Sequence, residues 1–305
     1  MTNTVQVSPV ALFAYMRPEH LRATVESLRA NAEAPFTHVT VFCDAPKRPE
    51  HAAGVAAVRA YVKRIECFAS VEVIERERNL GLAASIVDGV TRIVEAHGRV
   101  IVVEDDLLLS PYFLRYMNEG LDIYANDEAV ASIHGYAYPV AETLPDTYFL
   151  RGADCWGWAT WRRAWSHLRL GGADLLIELK HLGLTHEFDF DGSYCYTQML
   201  RDQIAGRNDS WAVRWHASCY LDGMLTLYPG RSLVHNIGND ASGTHCEDVE
   251  IYAQAVAQTP VLVQRQSLQQ SAAARNAVVS FLGGHKRTLS QRLKRALLRA
   301  IKVTA

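Results

Sequence analysis

Along the first hundred residues, short β-branched apolar blocks alternate with longer stretches whose apolar residues recur at helical spacing. Residues 7–15 predict a strand. Residues 18–31 predict a helix with Leu21, Val25 and Leu28 on one face and Pro18 suited to its first turn. The pattern repeats: a strand over 38–43 ending at Asp44, a helix over 50–68, a strand over 71–75, a helix over 82–96, and a strand over 100–103. Such alternation with short connections predicts an α/β fold, a mixed and mainly parallel sheet flanked by helices. Ligands of such sheets bind beyond the carboxyl ends of the strands, which brings Arg17, Asp44, Asn79 and the acidic run at 104–106 to one crevice.

That acidic run is the most informative chemistry in the chain. Val100 to Val103 read as an interior strand, and Glu104, Asp105 and Asp106 arrive together where it should emerge. Three adjacent negative charges repel one another, and hard oxygen ligands of this kind suit Mg²⁺ or Mn²⁺, which keep some waters and share a site with substrate phosphates. The competing reading is a solvated acidic turn. It sits poorly with the apolar residues 107–109 and 111–113 that follow at once.

The second half changes character. A strand is expected over 129–133, after which Trp156, Trp158, Trp161, Trp165, Trp211 and Trp215 account for every tryptophan in the chain. Concentrated aromatics form a core or a platform for flat ligands such as sugar rings, and core is the expectation for most of them. With 305 residues, 49% of them hydrophobic and 21% charged, the chain has room for a substantial core in one large domain or two closely joined lobes. Six scattered cysteines without a CxxC pair argue against a zinc ribbon or a dithiol redox site. No basic segment followed by an apolar run opens the chain, so a cytoplasmic location is expected.

The net charge of −2 conceals an asymmetry. Residues 251–305 carry nine Lys or Arg and no acid, whereas residues 1–250 carry 22 basic against 33 acidic side chains. In the final stretch Leu289, Leu293, Leu297, Leu298 and Ile301 fall at helical spacing among the basic residues. Such a helix suits an anionic membrane surface, here the cytoplasmic face of the inner membrane; a solvated or docked terminus is the alternative. Nucleic acid is not an expected partner, because the body has no basic stripe with interleaved aromatics.

Several segments together resemble the GT-A class of nucleotide-sugar-dependent glycosyltransferases, in particular the branch of N-acetylglucosaminyltransferase I and bacterial surface-polysaccharide transferases. They are FAYMRPEHLRATVESL (13–28), VFCDAPK (41–47), NLGLAASI (79–86) and, most specific, VVEDDLLLSPYFLRY (102–116). The likeness continues through GADCWGWATWRRAW (152–165), NDSWAVRW (208–215) and SLVHNIGNDASGTHC (232–246). It implies a GT-A (Rossmann-like) fold with a nucleotide-sugar-binding half at 1–116, an aromatic-rich acceptor and catalytic half at 117–250, and a basic C-terminal helical extension at 251–305. The implied partners are a nucleoside-diphosphate sugar, UDP-GlcNAc-like as a first choice, and a glycan or lipid-linked glycan acceptor in cell-surface glycan assembly.

The resemblance also implies roles. Asp106 would ligate Mn²⁺ or Mg²⁺, Asp105 would face the ribose or a metal-bound water, and Glu104 would help hold the donor. Arg17 would approach the nucleotide or its phosphates, Asp44 the base, and Asn79 with Gly81 the nucleotide half of the donor. Each has a plainer alternative: an Arg17–Glu19 surface pair, a turn at Asp44, a helix-entry loop at 79–81. An inverting transfer needs a carboxylate to take the acceptor proton. Asp209 is the candidate, with Asp189 and Asp191 as competitors, and a helix N-cap is its alternative role. Residues 236–246, with Gly238 and Gly243, read as a lid that excludes water, and His245 as a further metal ligand or a structural histidine; His235 is a weaker candidate.

Other classes remain in view. Glycoside hydrolysis needs two carboxyls separated across a sugar, which three neighbours after one strand do not supply. A sugar nucleotidyltransferase would carry a Gly-rich N-terminal loop, and residues 15–18 contain no glycine. A non-catalytic nucleotide-sugar or glycan-binding protein would share the crevice and the tryptophans, and metal-dependent donor turnover separates it from an enzyme.

Overall fold

A computed structural model describes residues 7–238 and 250–284. In its first part, β1 (Val10–Ala14), α1 (Pro18–Arg29), β2 (His38–Cys43), α2 (Ala52–Val62), β3 (Ser70–Glu75), α3 (Leu82–His97) and β4 (Arg99–Glu104) realise the alternation expected from the sequence. The expected helix over 50–68 is shorter. A 3₁₀ turn at Pro49–His51 precedes α2, and beyond Val62 the chain turns through Cys67 at φ 72°. Helix α1 carries Pro18 in its first turn and buries Leu21, Val25 and Leu28. Helix α3 approaches the sheet closely at Gly89, where an added Cβ would lie 2.6 Å from the Phe13 ring; that ring stacks on Phe42. No side chain larger than hydrogen fits there.

The chain continues through β5 (Leu107–Leu109), α4 (Phe113–Ile123), β6 (Val130–His134), β7 (Thr147–Arg151), β8 (Trp158–Trp161), α5 (Arg162–Trp165), α6 (Gly172–His181), α7 (Thr185–Phe188), α8 (Tyr196–Ile204), α9 (Trp211–Leu221), β9 (Leu225–Pro229), β10 (Val234–Asn236) and α10 (Ala272–Gly284). One eight-stranded mixed sheet, in the order β3-β2-β1-β4-β8-β6-β9-β7, spans both halves. Strands β1 to β4 are mutually parallel; β8 lies antiparallel between β4 and β6, and β9 is parallel to β6. Strand β9 therefore runs in the same direction as β4. Strands β5 and β10 form a separate antiparallel pair directly after the acidic run.

Most tryptophans are core, as the sequence suggested. Trp158, Trp165, Trp211 and Trp215 pack on one another, and with Trp161 they are buried; Trp156 alone is half-buried. Between residues 250 and 284 the chain packs back on the body through Ala257, Val261, Ala274, Val278 and Leu282, so this part of the expected extension belongs to the fold. The basic stretch at 285–305, residues 239–246 of the expected lid, and His245 lie outside the described residues. Among the described residues no helix is long and apolar enough to cross a membrane.

Candidate active site

Parallel pairing of β1, β2, β3 and β4 puts their carboxyl ends on one edge, and the chain beyond each end delivers a polar group there. The residues following β1 supply Tyr15 and Arg17, those following β2 supply Asp44, the loop after β3 supplies Asn79 to Gly81, and β4 ends in the three carboxylates. The apolar body of β4 explains the arrangement. Val100 to Val103 are buried at 1% exposure or less, so the strand is fixed in register and its acidic end must emerge at the crevice.

Arg17 ties the cluster together. Its Nη2 donates to Asp105 Oδ1 at 3.0 Å and to Asp106 Oδ2 at 2.6 Å, while Tyr15 N donates to Asp105 Oδ2 at 3.1 Å. Glu19 pairs with Arg22 instead, so the Arg17–Glu19 surface pair is not formed. Burial works against the Arg17 charge, but Asp105 and Asp106 outweigh it and hold the guanidinium protonated. Burial raises the Asp105 carboxyl above the usual range despite Arg17, and burial together with Asp106 and Asp105 pushes Glu104 well above it. When all three are ionised, one guanidinium leaves two negative charges uncompensated among the described residues.

Asp44 has a different task from its neighbours. Its carboxylate accepts from Ala45 N at 2.8 Å, Leu80 N at 2.9 Å, Gly81 N at 3.0 Å and Asn79 Nδ2 at 3.0 Å. Asn79 Nδ2 also donates to Ala45 O at 2.7 Å. Both oxygens are thus engaged in pinning the loop that enters α3. Gly81, at φ 76°, is the N-cap of that helix and lies in the left-handed region that favours glycine.

Chain following β10 closes against the cluster. Asn236 pairs with Leu107, Ile237 N donates to Asp106 O at 2.8 Å, and Gly238 lies so near that an added Cβ would stand 2.1 Å from Asp106 Oδ2. His235 lies on β10 opposite Leu108, where its Nδ1 accepts from Gln254 N at 3.4 Å.

The base candidates separate. Asp209 is 69% exposed and pairs with Arg214 Nη2 at 3.3 Å; the N-cap of α9 is Ser210, whose Oγ accepts from Val213 N. Trp211, at the start of α9, stacks on Trp158, which pairs with Val102 near the end of β4. Asp209 and Arg214 border an open groove of about 950 Å³ that runs along α3 from Ala83 to Ala96 and does not include Glu104 to Asp106. Asp189 accepts from Thr197 N at the start of α8, and Asp191 is held by both Arg275 nitrogens at 2.7 Å. Those two carboxylates have structural work.

One acid near the crevice has no advance signal beyond its place in an aromatic, Gly-flanked run. Asp154 precedes β8, whose pairing with β4 ends at Val102 opposite Trp158, so the loop 154–157 lies beside the emerging end of β4. Cys155 registers this position: burial first, then the charges of Asp154, Glu104 and Asp106 push its thiol well up.

No protein-family model and no curated protein sequence matches the chain. Solved structures with similar parts include residues 1–349 of TarS from S. aureus (12% identity, TM-score 0.32, 49% of this chain and 42% of that one). A second TarS structure matches over 48% of this chain and 25% of its own, with 13% identity and a TM-score of 0.33. The mannosyltransferase PcManGT from Pyrobaculum calidifontis, in complex with GDP-Man and Mn²⁺, matches over 71% and 69% with 12% identity and a TM-score of 0.40. This chain therefore spans less than half of either TarS chain.

Proposed function

We propose that the protein is a metal-dependent glycosyltransferase of the GT-A type, moving a sugar from a nucleoside-diphosphate sugar to an acceptor hydroxyl with inversion. The observation that carries this reading is the convergence of three carboxylates, one guanidinium and a pinned helix-entry loop at the carboxyl edge of a parallel sheet. The cluster fits a divalent cation by charge and donor type. The three carboxyls outnumber the one guanidinium, so a bound dication would favour the ionised forms that burial opposes, and the oxygens are hard ligands. Among the described residues no group of three or more His, Cys, Asp or Glu is placed to hold a metal, so Asp106 would bind it together with diphosphate oxygens and water. Bound there, Mn²⁺ or Mg²⁺ would stabilise charge on the leaving diphosphate.

The chain's own residues supply the rest. Arg17 orients Asp105 and Asp106 and lends positive charge beside the phosphates, and the loop pinned by Asp44 shapes the nucleotide side. Asp209, in the groove along α3, takes the proton of the attacking hydroxyl. The acceptor belongs to cell-surface glycan assembly, with UDP-GlcNAc as the first donor to try. The test is release of nucleoside diphosphate from a set of UDP-, GDP- and dTDP-sugars with Mn²⁺ or Mg²⁺, followed by product analysis. Metal-dependent release and a glycosylated product are expected, and Asp209→Asn should lower transfer by roughly two to four orders of magnitude with donor binding kept. No release from any donor would overturn the reading; full transfer by Asp209→Asn would remove only the base assignment.

A further inference from the structure

The loop 152–157 is held by buried groups from three directions. His216 Nδ1 donates to Ala153 O at 2.7 Å, and Gly152, at φ 94°, faces the same ring so closely that an added Cβ would lie 2.5 Å from it. His134 Nε2 accepts from Trp156 N at 3.1 Å, which fixes the backbone under the one half-buried tryptophan. Gly135 N donates to Gly157 O at 2.7 Å. Burial lowers the pKa of both histidines, so each ring is neutral and serves as a fixed hydrogen-bonding strut.

What the struts present is a carboxylate among ring faces. Asp154 Oδ2 accepts from Tyr138 Oη at 2.8 Å and Oδ1 accepts from its neighbour Cys155 N at 2.9 Å. Among the described residues no cation pairs with it. Trp156 lies edge-on to Tyr136 at 4.9 Å and to Tyr252 at 5.9 Å, and Tyr138 and Tyr252 both meet Phe281. Trp156, Tyr138, Tyr252 and Phe281 are all partly exposed. Beyond burial, the Asp154 charge is the largest influence raising Tyr136, Tyr138 and Tyr252, so these rings crowd round it.

We propose that Asp154, Trp156 and Tyr138 form a sugar-ring subsite of the proposed transferase, and that Asp154 selects among acceptors by receiving two ring hydroxyls. An ionised carboxylate has about four lone-pair positions, and two donors occupy only part of that capacity. Ring hydroxyls are donors, and the C–H faces of a pyranose pack on indole and phenol faces, so a sugar satisfies both halves of the patch. Position favours the acceptor. Asp154 stands on the β8 side of the acidic cluster, away from the Asn79–Gly81 loop that shapes the nucleotide side. The inference rests on the glycosyltransferase reading.

The test compares the full-length wild type with Asp154→Asn and Trp156→Ala, using the active donor with Mn²⁺, water as the control acceptor, and the methyl glycosides of glucose, galactose, mannose and N-acetylglucosamine. Both variants should raise the KM of the best glycoside about tenfold or more and flatten the preference among the four, with donor KM in the hydrolysis reaction within twofold. A raised donor KM in hydrolysis would assign the subsite to the donor sugar instead and overturn the acceptor role. Unchanged acceptor and donor KM values would overturn the subsite itself. Should Asp154→Asn melt markedly below wild type, Trp156→Ala and Tyr138→Phe carry the same comparison. A wild type inactive with every donor fails the transferase reading, a result distinct from any of these.

Discussion

A methyl group added at Gly238 would collide with Asp106 Oδ2 at 2.1 Å and approach Arg17 Nη1 at 3.0 Å, so a single backbone position guards the geometry of the acidic cluster. Neither neighbour can give way without breaking the 2.6 Å pair between them. Gly238→Ala should therefore weaken Mn²⁺-dependent donor binding by roughly tenfold, about 1.4 kcal/mol. The global fold should persist, because the collision lies at the end of β10 and not in the core. Calorimetric titration with a nucleoside-diphosphate sugar checks this; unchanged affinity would mean that the backbone at 238 does not shape the site. Residue-scale chemistry was partly legible in the sequence. Glu104, Asp105 and Asp106 announce themselves by following four buried valines and isoleucines, whereas nothing in the order of residues shows that Arg17 would lie between two of them.

At the scale of elements, the helix-entry loop of α3 hangs on one side chain. Asp44 receives three backbone N–H groups and one side-chain amide, and an Asn at 44 would turn an amide group toward some of those donors. Asp44→Asn should cost about 1–3 kcal/mol of stability and loosen residues 79–81. Hydrogen exchange at Leu80 and Gly81 measures it directly, and wild-type protection there would refute the clamp. Strands and helices up to residue 104 were readable from compact β-branched blocks and helical apolar spacing, except that the helix expected over 50–68 ends at Val62. Beyond residue 104, pairing partners were not: β8 joins β4 and β6 as an antiparallel insertion, and no local pattern records which strand a segment will meet. For the same reason Asp154 stayed hidden, since its position beside the end of β4 comes from sheet register and not from its own neighbourhood.

For the whole molecule, the buried histidines set a pH window. His216 donates through Nδ1, its Nε2 has no partner among the described residues, and the rings of Phe188, Tyr196 and Tyr220 surround it. Burial pulls its pKa down to about 4, below the ordinary histidine value near 6.5. The unfolded chain thus binds a proton that the folded chain refuses. The stability it contributes is present above pH ~6.5 and is lost as pH falls toward 4, with His134 acting in the same direction. The melting temperature should fall across that interval more steeply for wild type than for His216→Gln; parallel curves would contradict the assignment. Fold, clamp and struts meet at the carboxyl edge of the sheet, where the proposed donor site lies. The most direct measurement of that claim is calorimetric binding of the best nucleoside-diphosphate sugar with Mn²⁺, with EDTA, and with Asp106→Asn. The account predicts tight binding only for wild type with Mn²⁺, and equal affinity in all three would contradict it.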